Sequence, residues 1–477
     1  MHSHLTDRQR WMALLLLCMG ELMIVLDTTI VNVALPSIRA DLAFTETTLV
    51  WVVNAYMLTF GGCLLLGGRL GDLYGHRRLF LAGIALFTVA SLGCGLARSQ
   101  TMLVAARAVQ GVGGAVVSAV ALSLIMNLFT GAAERARAMG VYGFVCAGGG
   151  SVGVLLGGVL TSLLSWHWIF LVNLPLGVAI YLACRALLPE SAAPAVRQRL
   201  DIAGAVTITA ALMLAVYAIV GGNEVGWLTP QSLGLLGLSA ALLVAFVWIE
   251  SHVAAPLVPL GLLRQRNLSV SSIIGVLWAA AMFAWFFISA LYMQQVLAWS
   301  PMQVGMAFLP ANLVMAFCSL GLSAWVVMRW GIRGTLAGGL LLGALGLVLF
   351  ALAPVHGEFA LHVLPGMLLL GVGSGIALNP LLLAAMGDVA PADSGLASGM
   401  VNTAFMMGGA LGLAILASAA GARTGALQAA GTALPVALHA GYQLAFGLAA
   451  VAALVATALG LVLRPTAMPA EGAAAAH

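Results

Sequence analysis

Long apolar runs dominate this sequence of 477 residues. A helix needs about 20 apolar residues to cross the hydrocarbon core of a bilayer. Fourteen runs reach that length, with approximate bounds at 11–35, 46–66, 79–97, 101–124, 138–163, 167–187, 201–220, 232–250, 270–297, 303–328, 334–353, 361–383, 396–420 and 437–463. The connections between them are short and leave no room for a separate soluble domain. The sequence therefore predicts an all-α polytopic membrane protein.

The composition is that of a chain whose main solvent is lipid. Charged residues make up 7% of it and hydrophobic residues 62%, whereas soluble domains have about 25% and 45–50%. This excludes a soluble globular domain, a disordered chain and a nucleic-acid binder. All 19 basic residues are arginine, so the chain has neither a Schiff-base lysine nor a P-loop lysine. No metal-ligand spacing occurs, and we expect neither a metal nor a cofactor.

The arginines favour one orientation in the membrane. With the N-terminus inside, only Arg39, Arg98 and Arg423 fall on the outer side, and only Arg107 lies well within a run. The other arginines fall inside, as the positive-inside rule expects. The first run carries two acidic residues and no clear cleavage site follows it, so we expect an uncleaved helix rather than a signal peptide. We predict a multi-pass protein of the inner cell membrane with both termini in the cytoplasm.

A weak internal repeat divides the runs into two sets of six. Residues 111–113 and 371–373 both read GVG, and they occupy the fourth and the twelfth run. Removing the pair of runs at 201–250 leaves the arginine bias intact, so this pair is an insertion between two related halves. Two halves that meet at a midplane cavity are typical of alternating access. The predicted units are a six-helix bundle at 1–188, a linker with two additional membrane helices at 189–268, and a second six-helix bundle with a short cytoplasmic tail at 269–477.

One loop motif points to a known family. Residues 68–77, GRLGDLYGHR, resemble the signature between the second and third helices of the major facilitator superfamily. Its glycines permit a tight turn, and its charged residues can latch neighbouring helix ends. The resemblance implies a gating loop built on Gly68, Asp72, Gly75 and Arg77.

Further stretches resemble the fourteen-span drug/proton antiporters of that superfamily, the multidrug efflux type. Residues 26–36, LDTTIVNVALP, resemble the first-helix signature, and residues 107–111, RAVQG, resemble the fourth-helix motif. Val154 stands where the fifth-helix motif has proline, which leaves the local bend of that helix open but not the fold. The glycines that match the exporter-type motif of the fifth helix are Gly140, Gly149, Gly153, Gly157 and Gly158.

Two carboxylates lie in the first run, where an ionisable side chain is costly and marks a functional site by default. At about 1.5 Å per residue, Glu21 lies about 15 Å from Trp11, near the midplane, and Asp27 about 24 Å from it. The resemblance implies proton or substrate coupling for Asp27, and proton transfer for Arg107 with Gln110 or a first-helix carboxylate. Geometry favours Glu21. The sequence leaves open which of the two acids couples proton movement to transport. A purely structural role also stays open for each.

Other polar residues in the runs are candidates for lining a cavity. Apolar walls with few polar groups suit bulky amphiphilic ligands. A hydrogen bond between helices is the alternative role for each of them. The candidates are Asn32, Asn54, Tyr56, Tyr292, Gln294, Gln295, Asn312, Asn379 and Asn402.

These features predict a secondary active exporter that uses the proton gradient to expel lipophilic drugs or related small molecules, cations among them. Its expected partners are a small-molecule substrate, protons and the lipid bilayer; we expect a monomer and no nucleic acid, and a periplasmic adaptor stays open. The alternatives of the same fold are a proton-coupled importer and a narrow-substrate metabolite exporter. A polytopic membrane enzyme is disfavoured, because the sequence has no clustered nucleophile or acid–base pair. A channel or sensor would show uncoupled flux or none.

Overall fold

The computed structural model describes residues 6–129, 132–188, 201–253, 256–387, 389 and 394–464. These residues are almost entirely helical, and short π-helical or 3₁₀ turns extend several helices. The helices are α1 Asp7–Leu42, α2 Trp51–Tyr74, α3 His76–Gly95, α4 Gln100–Leu128, α5 Ala132–Leu163, α6 Trp168–Leu171, α7 Asn173–Leu187, α8 Ile202–Val225, α9 Pro230–His252, α10 Arg266–Leu291, α11 Pro301–Phe317, α12 Ser323–Leu352, α13 Leu364–Met386, α14 Ser394–Ala429 and α15 Leu434–Val462.

Polar residues at the membrane boundaries set several helix ends. Thr6 and Gln9 form a capping box at the start of α1, and Ser300 and Gln303 form another at the start of α11. Such boxes satisfy backbone N–H groups that have no partner inside the helix. Gly75 separates α2 from α3 with a φ of 91°, a conformation that side chains with a Cβ rarely adopt. The apolar runs locate these helices but understate their length, because capped ends extend beyond the apolar core.

Twelve helical segments of the described chain are long and apolar enough to cross a membrane. The segment Pro301–Leu352 has 52 residues, and Gly331 interrupts it with a non-helical φ of 75°. Helix α5 is outside this set, because its apolar stretch Gly148–Leu163 is shorter. The prediction of an all-α polytopic membrane protein is confirmed, whereas the count of fourteen spans is not.

Helix contacts follow the same pattern in the two parts of the chain. In the first, α1 packs on α5, α4 packs on α2 and α3, and α3 packs on α7. In the second, α10 packs on α14, α13 packs on α11 and α12, and α12 packs on α15. The contacts between the two parts are also reciprocal, since α5 packs on α11 and α14 packs on α2. We call these parts the first half, α1–α7, and the second half, α10–α15.

The remaining helices, α8 and α9, pack against each other at the side of the bundle. Helix α8 also contacts α2 of the first half and α14 of the second. Helix α9 exposes Leu233, Val244, Val247 and Trp248, as expected of a surface that faces lipid. Residues 256–265, which we call the strap, lead from α9 to α10. The pair α8 and α9 thus covers the seam between the halves. The predicted boundaries of the three units, 1–188, 189–268 and 269–477, stay predictions.

Glycines of α5 let it approach two neighbouring helices closely. A Cβ added at Gly157 would lie 2.7 Å from the carbonyl oxygen of Ile30 in α1, and one at Gly158 would lie 2.8 Å from that of Pro301. Gly149 and Gly153 also face α1, whereas the surroundings of Gly140 lie outside the described residues. Val154 is fully buried, and α5 continues through it as an unbroken helix. Close packing of small residues therefore joins α5 to both halves.

Candidate functional site

Asp27 lies at the centre of a polar network in the first half. Its side chain is 0% exposed. Oδ2 forms an ion pair with Arg107 of α4, while Oδ1 accepts hydrogen bonds from Gln110 at 2.7 Å and from Asn173 of α7 at 3.1 Å. Each carboxylate oxygen therefore has a donor, and α1, α4 and α7 are tied together through one side chain.

Arg107 is held on every side. Its Nε donates to the carbonyl oxygen of Val52 in α2 at 2.9 Å, and its Nη1 also donates to Gln110 at 2.7 Å. The guanidinium lies 4.4 Å from the ring centre of Tyr56 and 5.5 Å from that of Phe170. Such cation–π contacts are strongest when both groups are desolvated. The arginine charge is thereby compensated in the membrane interior by Asp27, two oxygens and two rings.

Gln110 connects this ion pair to α3. Its Nε2 donates to Ser91 Oγ at 2.9 Å, and Asn173 lies 3.5 Å from the same hydroxyl. The sequence did not single out Ser91, because a lone serine in an apolar run has no distinctive pattern. Asn173 was not singled out either, and nothing in the sequence placed it beside Asp27.

Glu21 occupies a different environment on the same helix. Its side chain is 7% exposed, and Ser118 of α4 donates to its Oε1 at 3.0 Å. Tyr142 of α5 also lies within hydrogen-bonding reach of the carboxyl group. Oε2 has no donor among the described residues, and no arginine there pairs with Glu21. Of the two buried acids of α1, Glu21 therefore keeps an oxygen that no described residue bonds.

The cavity candidates of the first half mostly bond to helix backbones. Asn32 donates to Thr28 of its own helix at 3.2 Å, and Asn54 donates to Ala410 of α14 at 2.8 Å. Tyr56 stacks against Arg107, and its hydroxyl has no partner among the described residues. Asn54 thus links the two halves through its amide nitrogen.

The cavity candidates of the second half differ in their exposure and in their hydrogen bonds. Asn379 donates to Ser319 at 2.9 Å, and Asn402 is exposed. Asn312 of α11 is 0% exposed, yet neither its amide nitrogen nor its amide oxygen has a partner among the described residues. An unpaired buried amide costs about 1–3 kcal/mol, so Asn312 requires an explanation beyond packing.

Gln294 and Gln295 bond to residues of α1 and α15. Gln294 donates to the carbonyl oxygen of Val33 in α1 at 2.9 Å.

Gln295 accepts from Arg39 of α1 and from Tyr442 of α15, both at 3.1 Å. Arg39 also forms an ion pair with Glu46, which accepts from Tyr442 at 3.3 Å. We call Arg39, Glu46, Gln295 and Tyr442 the end cluster. The nearby Tyr292 is also held, since it donates to Pro354 at 2.8 Å.

The 68–77 loop lies at the opposite end of the bundle. Arg77 donates to the carbonyl oxygen of Arg185 in α7, and Arg69 donates to that of Pro256 in the strap at 3.1 Å. A Cβ added at Gly68 would lie 4.0 Å from that of Ala119 in α4, and the side chain of Asp72 lies outside the described part. Arginines of this loop thus hold backbone carbonyls of a neighbouring helix and of the strap.

Residues 17–413 match the family described as Major Facilitator Superfamily. The chain belongs to the Major Facilitator Superfamily. This confirms the family predicted from the sequence motifs, and it makes the protein a membrane transporter and not an enzyme.

Curated relatives of this transporter carry names that refer to antibiotics. The puromycin resistance protein pur8 of Streptomyces alboniger is 41% identical over 86% of this chain and 82% of its own length. The cephamycin export protein CmcT of Amycolatopsis lactamdurans is 40% identical over 86% of this chain and 85% of its own length. The solved structure of a bacterial homologue of the human lysosomal transporter Spinster aligns with a TM-score of 0.70 and 15% identity. The alignment covers 96% of this chain and 97% of the homologue. The last match supports the fold alone.

Proposed function

We propose that this transporter exports lipophilic, antibiotic-like compounds from the cytoplasm in exchange for protons. The observation that carries the proposal is the contrast between its two buried first-helix acids. Asp27 is fully paired, whereas Glu21 keeps one oxygen free in an apolar setting. The names of the relatives, which refer to puromycin resistance and cephamycin export, support an antibiotic-like substrate.

The two acids take different roles in this mechanism. The Asp27–Arg107 network links α1, α2, α4 and α7, so it keeps the first half rigid as it moves. Glu21 exchanges its proton, because a buried carboxyl without a counter-charge is more stable when neutral. Protonation from outside releases the substrate, and loss of the proton to the cytoplasm restores a charge that attracts a cationic substrate.

Alternating access requires the two ends of the bundle to open in turn. We assign the end that carries Arg69, Arg77 and Arg185 to the cytoplasm, by the positive-inside rule. The end cluster then lies on the outer side, where it joins α1 and Glu46 of the first half to Gln295 and Tyr442 of the second. Its ion pair lies within the first half, so opening the outer end breaks hydrogen bonds without separating the two charges.

The Arg39→Gln substitution is expected to open the outer end more often. It removes the ion pair with Glu46 and the charged hydrogen bond to Gln295, which is worth about 1.5–3 kcal/mol. We expect a cysteine placed at Thr424, buried beside Glu46 and Tyr442, to react at least about tenfold faster with an impermeant maleimide. Arg98→Gln, an exposed arginine of the same side, is the matched control. Equal labelling rates in both variants would show that the end cluster is not a gate.

Asn312 is a candidate contact for the polar part of a substrate, because its amide is buried and unpaired. Asn312→Leu is expected to raise the free energy of unfolding by about 1–3 kcal/mol and to weaken substrate binding. Asn54→Leu provides the contrast, since Asn54 already bonds to α14 and its loss brings no gain in stability. Thermal unfolding and equilibrium binding of both variants test this. If Asn312→Leu is less stable than the wild type and binds substrate with unchanged affinity, Asn312 has a packing role and does not contact the substrate.

We also propose fourteen spans for this chain. Gly331 divides Pro301–Leu352 into two segments, and α5 has 32 residues although its described apolar part is short. Together with the other eleven candidate segments these give fourteen. The reciprocal helix contacts support two halves of six spans, with α8 and α9 as the added pair. We take the protein to be a monomer of the inner membrane that uses no cofactor.

Transport in proteoliposomes tests the proposed function. Puromycin and a cephamycin are suitable probes, given the relatives' names. With an acidic lumen, an antiporter accumulates the compound inside as protons leave. A proton-coupled importer accumulates it only when the outside is acidic, and a channel merely equilibrates it. Accumulation that follows the importer's direction, or that needs no gradient, would refute the proposal.

A further inference from the structure

Two buried carboxyl groups meet where α8 begins and α9 ends, away from the Asp27 network. Asp201 is the N-cap of α8, and Glu250 lies in the last turn of α9. The two residues are only 4% and 3% exposed. Their carboxyl groups lie within hydrogen-bonding reach of each other. Nothing in the proposed transport cycle uses either of them.

One oxygen of each group already has a donor. Asp201 Oδ1 accepts from the backbone N–H of Gly204 at 2.7 Å, and Glu250 Oε2 accepts from that of Val258 in the strap at 3.1 Å. The other two, Asp201 Oδ2 and Glu250 Oε1, have no donor among the described residues. Both face the same point, since a Cβ added to Gly204 would lie 2.5 Å from Oδ2 and 2.9 Å from Oε1.

Neither free oxygen can donate to the other unless one of them carries a proton. Two adjacent buried carboxylates also repel each other, and burial disfavours each charge. One proton removes one of the charges and supplies the missing hydrogen bond. We propose that Asp201 and Glu250 share a single proton, and that they form a proton-binding site between the added helices and the strap.

This shared proton holds together three segments that meet at the arginine-rich end. Asp201 fixes the start of α8, Glu250 fixes the end of α9, and Val258 ties the strap to both. On its other side the strap is held by Arg69 of α2 through Pro256, and it continues into α10 of the second half. Loss of the proton places two charges in contact and loosens this junction. The site stands on these contacts alone and does not depend on the direction or substrate of transport.

Few other charged groups lie on the elements around the pair. Helix α2 contributes Arg69 and also Asp72, whose side chain is outside the described part. Helix α9 contributes His252, and the strap contributes Arg264, which is exposed. Arg69 donates to the strap, and His252 is exposed and lies 2.8 Å from the carbonyl oxygen of Trp248. The only charged residue that α14 carries, Arg423, lies near its other end. None of these groups supplies the donor that the free oxygens lack.

Infrared difference spectroscopy of the purified full-length protein tests this site. All proteins are compared in a Glu21→Gln background, which removes the other buried carboxyl proposed to carry a proton. At neutral pH we expect the C=O stretch of a protonated carboxylic acid, and Glu250→Gln and Asp201→Asn should each remove it. Each amide can still donate to the remaining carboxylate, so both variants should fold. Glu224→Gln, an exposed acid at the other end of α8, is the control that keeps the band. A band that persists in both site variants, or no band in the Glu21→Gln parent, would overturn the proposal.

Stability against pH provides a second readout. The folded pair holds a proton at pH values where the same acids are ionised in the unfolded chain. In the Glu21→Gln background, the unfolding equilibrium constant should therefore grow by about tenfold per pH unit. This holds from about pH 5, above which the acids of the unfolded chain are ionised, up to the pH at which the folded pair loses its proton. Glu250→Gln and Asp201→Asn should lose this dependence, while Glu224→Gln retains it. An unchanged pH dependence in the site variants would contradict a shared proton.

Discussion

Replacing Arg107 by methionine is expected to lower the free energy of unfolding by about 3–5 kcal/mol and to abolish transport. The substitution leaves the Asp27 carboxylate buried without its counter-charge. It also removes the hydrogen bond to Val52, which connects α4 to α2, and the hydrogen bond to Gln110 within α4. Equilibrium unfolding in detergent micelles, together with transport in proteoliposomes, measures both effects.

A second substitution separates charge from packing in this network. In Asp27→Asn/Arg107→Met no charge remains, and the asparagine oxygen still accepts from Gln110 and Asn173. We therefore expect the double variant to recover most of the stability but not the transport. Arg423→Met, at an exposed arginine, is the control and should change stability by about 0.5 kcal/mol or less. A loss in Arg107→Met no larger than in this control would show that the buried ion pair is not what holds the first half together.

Replacing Glu21 by glutamine is expected to abolish proton-driven accumulation while leaving the fold intact. The amide oxygen still accepts from Ser118, and the neutral side chain costs less to bury than a charged one. A cationic substrate loses a charged hydrogen bond of about 1.5–3 kcal/mol, so its affinity falls by roughly 10- to 150-fold. A neutral substrate should still equilibrate across the membrane, with no response to a pH gradient.

Glu358→Gln is the matched control for this effect, because Glu358 is exposed outside the bundle. It should transport as the wild type does. Substrate accumulation in the proteoliposome assay with an imposed pH gradient compares the wild type with Glu21→Gln, Asp27→Asn and Glu358→Gln. If Glu21→Gln accumulates substrate normally and Asp27→Asn does not, the roles of the two acids are the reverse of those proposed.

The sequence predicts the helices and the family because these depend on local, repeated signals. Apolar length marks most of the spans, and the motifs at 68–77 and 107–111 stand at characteristic places along the chain. Helix ends were less predictable. Residues 7–10 of α1 are polar and still helical, because Thr6 caps them.

Contacts between distant residues are the part that the sequence did not supply. Helical geometry puts Asp27 and Glu21 on different faces of α1, but it does not say that α7 brings Asn173 to Asp27. Gln294 and Gln295 are predicted cavity residues, and the sequence did not show that they bond to α1 and α15. Asp201 and Glu250 gave no signal, since each is a single acid beside a loop.

The central claim is that substrate and proton compete for Glu21. Proton release on substrate binding, measured with a pH indicator in weakly buffered detergent solution, tests it most directly. The wild type should release up to about one proton for each molecule of cationic substrate bound, and Glu21→Gln should release none. Equal proton release from the two proteins, or none from the wild type at any pH at which the substrate binds, would contradict it.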